Sequence, residues 1–353
     1  MNAFATLPSS VDDPLPVLCV GAGSMGRAWL AAVQADPLVR LAGVVDIDQD
    51  AARTAVADLG MDVPIGADAV AVAAATGARA IVNVTVPAAH LPVTMAALRA
   101  GLPVLGEKPA ASTLAEAVRL ATVAEQTGQL FMVSQSRRWN PRVFALRAMV
   151  EGLGAVGSVT TEFFRAPRFG GFRDQMRQPL LVDMAIHSFD TARFLLAAEP
   201  VSVTCQSWNP SWSWYRGDAN ASAVFEMSDG ARYTYVGSWC AAGAETSWNG
   251  TWRISGEKGS AHWDGDHDPE LASDHPPLDR PASPYSGIAG ALQVFVEALR
   301  TGVAPMGEIH ENLMSLAMVE AAVESADTGV AVTLADVFTR ARELPPTSTA
   351  ASG

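Results

Sequence analysis

The strongest constraint in this chain is a glycine pattern at a fixed place. Gly21, Ala22, Gly23, Ser24, Met25 and Gly26 follow the apolar run 15–21 and open a segment of helical spacing over 25–35. The first glycine of such a set permits a tight turn, the second lets a ligand approach the backbone, and the third lets helix and strand pack without a Cβ between them. The turn offers unpaired N–H groups and the positive end of a helix dipole, with Ser24 and Met25 in its first turn, to an anionic diphosphate. Asp46 closes the next apolar run, 39–46, at 25 residues beyond Gly21. A carboxylate there accepts hydrogen bonds from ribose hydroxyls and repels a 2′-phosphate. Ile47, not an arginine, comes next, although Arg53 lies on the following helical segment. NAD is therefore expected in preference to NADP, bound by Gly21, Gly23, Ser24, Met25, Gly26 and Asp46. A glycine-rich turn in another kind of α/β protein is the plain alternative.

The alternation continues with a helical segment at 50–59, an apolar strand at 80–85, a helix at 88–100, a short strand at 103–105, a helix at 113–127 and a strand at 130–134. Continuous apolar strands between helices predict a doubly wound parallel sheet covered on both faces. Residues 15–134 are thus expected to form a Rossmann domain, preceded by a flexible polar arm over 1–14. The rhythm then changes. Helices are expected at 141–151 and 180–197, and strand-like stretches at 158–165, 201–208, 219–227, 231–239, 251–255 and 260–263. Asp229-Gly230 and Glu257-Lys258-Gly259 read as hairpin turns. The expected second domain, 135–341, is α+β on a mostly antiparallel open sheet, serving substrate binding and oligomerisation. Two helices, about 290–301 and 308–327, close it, and the tail 342–353 reads as disordered.

The net charge of -13 argues against nucleic acid and acidic membrane surfaces as partners, whereas a neutral polyol meets no such penalty. The three cysteines, Cys19, Cys205 and Cys240, lie far apart in apolar runs with no zinc spacing, so reduced, buried thiols in a cytoplasmic protein are expected. Neither a secretory signal nor a membrane-spanning helix is expected.

Lys108 and Lys258 are the two lysines among 24 basic residues. Lys108 sits in Glu107-Lys108-Pro109, directly after a core strand, at the strand end where ligands bind in such sheets. Its ammonium can hold a substrate oxygen and stabilise alkoxide character; a surface turn lysine is the bland reading. Asp183, His187 and Asp190 are spaced i, i+4, i+7, which on an α-helix places them on one narrow stripe. An acid–histidine–acid stripe on a mostly apolar helix is costly to bury without purpose. Histidine can act as a base near neutral pH, oriented by a carboxylate. A solvated polar face, or a satisfied core histidine, is the other reading. Zinc or manganese fits the spacing, but no third and fourth ligands are evident and no metal is expected. The tryptophans of the sheet half, from Trp208 to Trp263, favour a packing interface, with 211–217 as a substrate-lining loop.

Together GAGSMG, VVDID, Thr85 to His90, EKP, QSRRWNP (135–141) and DMAIHSFD (183–190) resemble the Gfo/Idh/MocA family of glucose–fructose oxidoreductase, inositol dehydrogenase and rhizopine catabolism proteins, over about 16–334. The resemblance implies a catalytic group of Lys108, Asp183 and His187, with His187 accepting the proton during alcohol oxidation. Thr85, Pro87, His90, Glu107 and Lys108 would touch the cofactor. Arg138, Trp139, Asn140 and Asp190 would face the substrate with the catalytic group. A homodimer or homotetramer through the C-terminal sheet is also implied. Valine precedes the proline in TVPAAH, and Met184-Ala185 stand where many members carry glycine, which narrows the expected pocket. The expected activity is hydride transfer between NAD and a hydroxyl carbon of a sugar or cyclitol. A non-catalytic sensor of NAD(H) or sugar, and an enzyme using transient sugar oxidation for elimination or epimerisation, stay open as alternatives.

Overall fold

The computed structural model describes residues 4–279 and 284–343. They form two compact units, 4–141 with 284–313 and 142–279 with 314–343. The first stretch runs β1 (Leu15–Val20), α1 (Ser24–Ala35), β2 (Val39–Val45), α2 (Gln49–Asp58), β3 (Ile65–Gly66), α3 (Ala69–Thr76), β4 (Ala80–Asn83), α4 (Pro87–Arg99), β5 (Val104–Glu107), α5 (Leu114–Thr127) and β6 (Phe131–Ser134). Then follow α6 (Pro141–Gly152), β7 (Val156–Phe164), the short α7 (Phe172–Gln175), a π-helical turn (Leu180–Ala185), α8 (Ile186–Leu196), β8 (Pro200–Trp208), β9 (Asn220–Met227), β10 (Arg232–Ser238), β11 (Thr251–Gly256), β12 (Gly259–Trp263) and β13 (Glu270–Ala272). The chain closes with α9 (Gly287–Thr301), α10 (Ile309–Thr328), β14 (Val332–Thr333) and α11 (Leu334–Glu343).

The first unit is built on a parallel sheet in the order β3-β2-β1-β4-β5-β6. β1 and β4 are buried along their whole length, as strands covered on both faces must be. This strand order reverses between β1 and β4, which makes the carboxyl ends of those strands a ligand crevice. α9 belongs to this unit, with Leu292, Phe295, Val296 and Leu299 buried. The expected loose arm is held here: Phe4 is buried, Ala5 N–H donates to Gly128 O and Leu7 N–H to Leu299 O. An apolar anchor at Phe4 is enough to draw the segment onto the unit.

The second unit carries an eight-stranded sheet, β13-β12-β11-β7-β10-β9-β8-β14, antiparallel except where β7 meets β10. The expected hairpins form: β9 and β10 turn at Gly230 (φ 88°), and β11 and β12 at Glu257-Lys258, with Gly256 paired to Gly259. One sheet face is core. Phe225, Tyr233, Tyr235, Trp252 and Phe189 of α8 interlock there, with Phe189 and Phe225 centroids 4.8 Å apart at 69°. Trp239, Trp252 and Trp263 are at most 1% exposed, so they fill this unit's own interior rather than an outer surface. The three cysteines are buried and free, and burial pushes the Cys19 and Cys205 thiols up to about 12. No described helix is long and apolar enough to cross a membrane. The expected boundary at 134/135 falls instead after Pro141, and 284–313 returns to the first unit. The expected disordered tail lies outside the described residues from 344 onward, while 342 and 343 end α11.

Candidate active site

At the carboxyl ends of β1, β2 and β4 the first unit holds a cavity of about 300 Å³, lined by Gly21, Gly23, Asp46, Ile47 and Thr85 among others. The three glycines do the separate jobs expected of them. Gly21 has φ 105°, and a Cβ there would lie 2.6 Å from Val84 O. A Cβ on Gly26 would lie 2.2 Å from Gly21 O, so this position keeps helix and turn in contact. A Cβ on Gly23 would meet no protein atom within 4 Å. Gly23 lines the cavity, and the space over it is open. α1 begins here with no side-chain cap, leaving first-turn N–H groups beside exposed Ser24 and Met25 for an anion. Asp46 is oriented on both oxygens: Oδ2 accepts Ala22 N–H at 2.7 Å and Oδ1 accepts Asp48 N–H at 2.9 Å. Arg53 pairs with Asp50 at 2.6 Å on the exposed surface of α2. Cavity, uncapped helix and fixed carboxylate suit NAD.

Glu107 ends β5 and Lys108 follows it, half-buried. The Glu107 carboxylate accepts the Trp29 indole N–H at 2.8 Å and Lys108 N–H at 3.1 Å, tying the turn to α1. Burial pushes the Glu107 carboxyl above its ordinary value, against the opposing pull of Trp29 and Lys108. His90, 2% exposed on α4, lies between two carbonyls, Nδ1 2.6 Å from Pro109 O and Nε2 2.9 Å from Thr85 O. Burial holds its pKa below the ordinary value, although both carbonyls favour the charged ring. Placed between the two turns, the neutral ring donates its one N–H to one of these carbonyls. Thr85 lines the cavity and Pro87 opens α4 beside it.

In the second unit the run expected as one α-helix starts with a π-turn carrying Asp183, and His187 follows on the first turn of α8, 7% exposed. A widened turn with i to i+5 bonds rotates less per residue than an α-helix and often marks a functional position. It keeps positions four apart aligned, so Asp183 and His187 stay on one side, while positions seven apart drift. The environments agree. Asp183 Oδ2 accepts Arg173 Nε–H at 2.6 Å. Asp190 is 1% exposed and accepts Ser315 Oγ–H at 2.8 Å; Ser315 also receives Arg193, whose guanidinium grips Glu199 at 2.6 and 2.7 Å. Asp190 thus takes part in a buried hydrogen-bond network of α8 and α10. Tyr215, from the 211–217 loop, donates its hydroxyl to Pro167 O; burial, then the Asp174 and Asp183 charges, pushes its pKa up to about 12.

Comparison with known proteins agrees with this architecture. The model of an oxidoreductase family with an NAD-binding Rossmann fold matches residues 15–135, and that of the GFO/IDH/MocA C-terminal domain matches 145–262. The chain belongs to the Gfo/Idh/MocA oxidoreductase family. A protein of Sinorhizobium fredii designated y4oX is 31% identical over 343 residues, 89% of this chain and 94% of that one. The inositol 2-dehydrogenase of Rhizobium meliloti is 29% identical over 332 residues, 87% of this chain and 95% of the relative. Among solved structures, an Agrobacterium radiobacter oxidoreductase in complex with NAD+, L-tartaric acid and magnesium superposes with TM-score 0.81 at 21% identity, over 91% of this chain and 99% of that one. As a Gfo/Idh/MocA oxidoreductase the chain uses NAD.

Within this Gfo/Idh/MocA chain the stretch 138–140 has structural partners. Arg138 is 3% exposed and pairs with Glu311 at 2.9 Å, and Glu311 also accepts Gly307 N–H. Trp139 is 4% exposed, edge-on to Tyr285 at 5.9 Å, and its carbonyl accepts Gly287 N–H. Both side chains are built into the packing of the first unit, and Asn140 is half-buried beside them. Arg173 was not anticipated. Its one sequence signal is the bracket Phe169-Gly170-Gly171-Phe172 before it, aromatic residues around two glycines in an otherwise polar loop.

Proposed function

We propose that this chain is an NAD-dependent dehydrogenase oxidising a hydroxyl-bearing carbon of a sugar or cyclitol. The observation that carries the reading is a buried histidine, His187, one turn after an acid set on a π-turn, in a chain whose other unit is an NAD-binding domain. Bound NAD supplies the hydride acceptor. Gly21, Gly23, Ser24, Met25 and Gly26 hold its diphosphate, and Asp46 holds its ribose. His187 takes the hydroxyl proton at an imidazole nitrogen, Asp183 supports the imidazolium that results, and Lys108 holds the substrate oxygen. The match to the R. meliloti inositol 2-dehydrogenase favours a cyclitol or sugar. The acidic net charge of -13 likewise favours a neutral polyol. The reading includes a homodimer or homotetramer formed through the eight-stranded sheet.

NADH formation at 340 nm against a panel of inositols, hexoses, pentoses and aminosugars tests it. His187→Ala is expected to bind NAD as the wild type does and to lose about 10²-fold or more in kcat, the usual worth of a positioned base. Lys108→Ala is expected to lose turnover as well. Undiminished turnover in His187→Ala would remove the proton-transfer role.

A further inference from the structure

We infer that Arg173 is a positioning residue for the Asp183–His187 pair, fixing the Asp183 carboxylate from outside its helix; the inference rests on the dehydrogenase reading above. Asp183 stands on the π-turn, where backbone hydrogen bonds are less regular than in the α-helix that follows. Its side chain is 12% exposed, that of Arg173 is 32% exposed, and Nε meets Oδ2 at 2.6 Å. A charge-assisted contact of this length restrains the carboxylate plane. Arg173 is itself restrained. Its guanidinium lies 4.7 Å from the Phe172 ring centroid and 5.3 Å from that of Phe169. Phe169 rests in turn against Trp239 and Trp248, each at 6.2 Å between centroids.

The loop bearing Arg173 is pinned at both ends. Arg165 N–H donates to Ser238 O and Ala241 N–H to Arg165 O on one side. On the other, Arg216 N–H donates to Asp174 O, and Asp218 N–H to Arg177 O. Between the pins, Gly170 and Gly171 take positive φ, 70° and 67°, which glycine adopts without a Cβ penalty, and Arg173 lies against Phe169. A side chain so held transmits the position of the loop to Asp183, and through Asp183 to the base. Arginine is required for this: its planar fork stacks on rings while its Nε donates, which an ammonium cannot reproduce.

The test uses the full chain and the panel polyol that the wild type oxidises fastest. Arg173→Ala and Arg173→Gln are expected to lower kcat about 10–10²-fold, the effect of misplacing a catalytic group by about 1 Å, with the KM for NAD unchanged. Ethylguanidinium added to Arg173→Ala is expected to restore part of kcat, and Arg173→Lys to recover less than that. In an Asp183→Asn background, Arg173→Ala is expected to cost little more, because the two act as one unit. Arg177→Ala, whose partner is Asp327 on an exposed rim, is expected to leave turnover unchanged. The Arg173 Nε–H resonance is expected downfield of the other arginines and to move back in Asp183→Asn. Wild-type kcat in both Arg173 variants, or the same fold loss with and without Asp183, overturns the inference. A wild type inactive on the whole panel overturns the dehydrogenase reading instead.

Discussion

At the scale of single residues, Gly23 and Gly26 show one residue type doing two jobs. A Cβ at Gly26 would sit 2.2 Å from Gly21 O, while one at Gly23 would meet open space. Gly26→Ala is therefore expected to destabilise the fold by about 1–3 kcal/mol, the usual cost of overpacking, read as a lower urea midpoint. Gly23→Ala is expected to keep that midpoint and weaken NAD at least about tenfold, or ~1.4 kcal/mol, by calorimetry. Equal midpoints for both variants would refute the division of labour. The positions of these glycines and of Asp46 were legible because a tight turn between strand and helix leaves a fixed spacing. Glu107 was legible as a position but not as a duty, since its partner Trp29 is 78 residues away. Burial raises the folded Glu107 pKa above its ordinary 4.5, so the folded state binds the proton more tightly. The contribution of Glu107 to stability is then fullest below about 4.5 and is lost as pH climbs through the raised value. Relative to wild type, Glu107→Gln is expected to gain stability across that window. A pH-independent difference between the two urea midpoints would show that Glu107 does not titrate abnormally.

At the scale of elements, the 3.6-residue pattern located the helix around His187 but not its first turn. Leucine and valine repeat in LLVDMAIHSFDTARFLL in a way that fits an uninterrupted α-helix. The extra residue of a π-turn leaves no mark in such a pattern, so Asp190 was grouped with Asp183 and His187 although it bonds Ser315. β3 and α3 were missed for another reason. AVAVAAAT is apolar all round and shows no stripe, and its start is set by Asp68, which accepts Ala71 N–H. β14 and α11 were missed because their polar, tail-like sequence gains its order from pairing with β8. Deleting Val182, which is 37% exposed within the π-turn, converts that turn towards α geometry and rotates the preceding residues. The deletion is expected to preserve NAD affinity and lower kcat by about 10²-fold or more through misplacement of Asp183 relative to its partners. Turnover at the wild-type level would mean that the π-turn is incidental.

At the scale of the molecule, local patterns name elements without saying which unit they join. The amphipathic stripe of α9 was visible, yet only long-range packing returns it to the Rossmann unit. The same limit applies to the tryptophans. Their number suggested a broad outer surface, but Trp239, Trp252 and Trp263 are interior, and the sheet's other face mixes Ser, Thr and Val with charged residues such as the Glu226–Arg232 pair. On that face Val224 of β9 is 41% exposed and paired with Thr204 of β8, and Trp208 at the end of β8 is 44% exposed. If the proposed homo-oligomer forms through this face, a carboxylate at Val224 loses its hydration on association and, near a twofold axis, meets its own copy. Val224→Glu is therefore expected to reduce the mass seen by light scattering towards that of one 37.0 kDa chain, with NAD affinity unchanged because the cofactor cavity lies in the other unit. An oligomer of unchanged mass in this variant would remove the sheet face from the assembly, and a wild type that is already monomeric would remove the assembly itself.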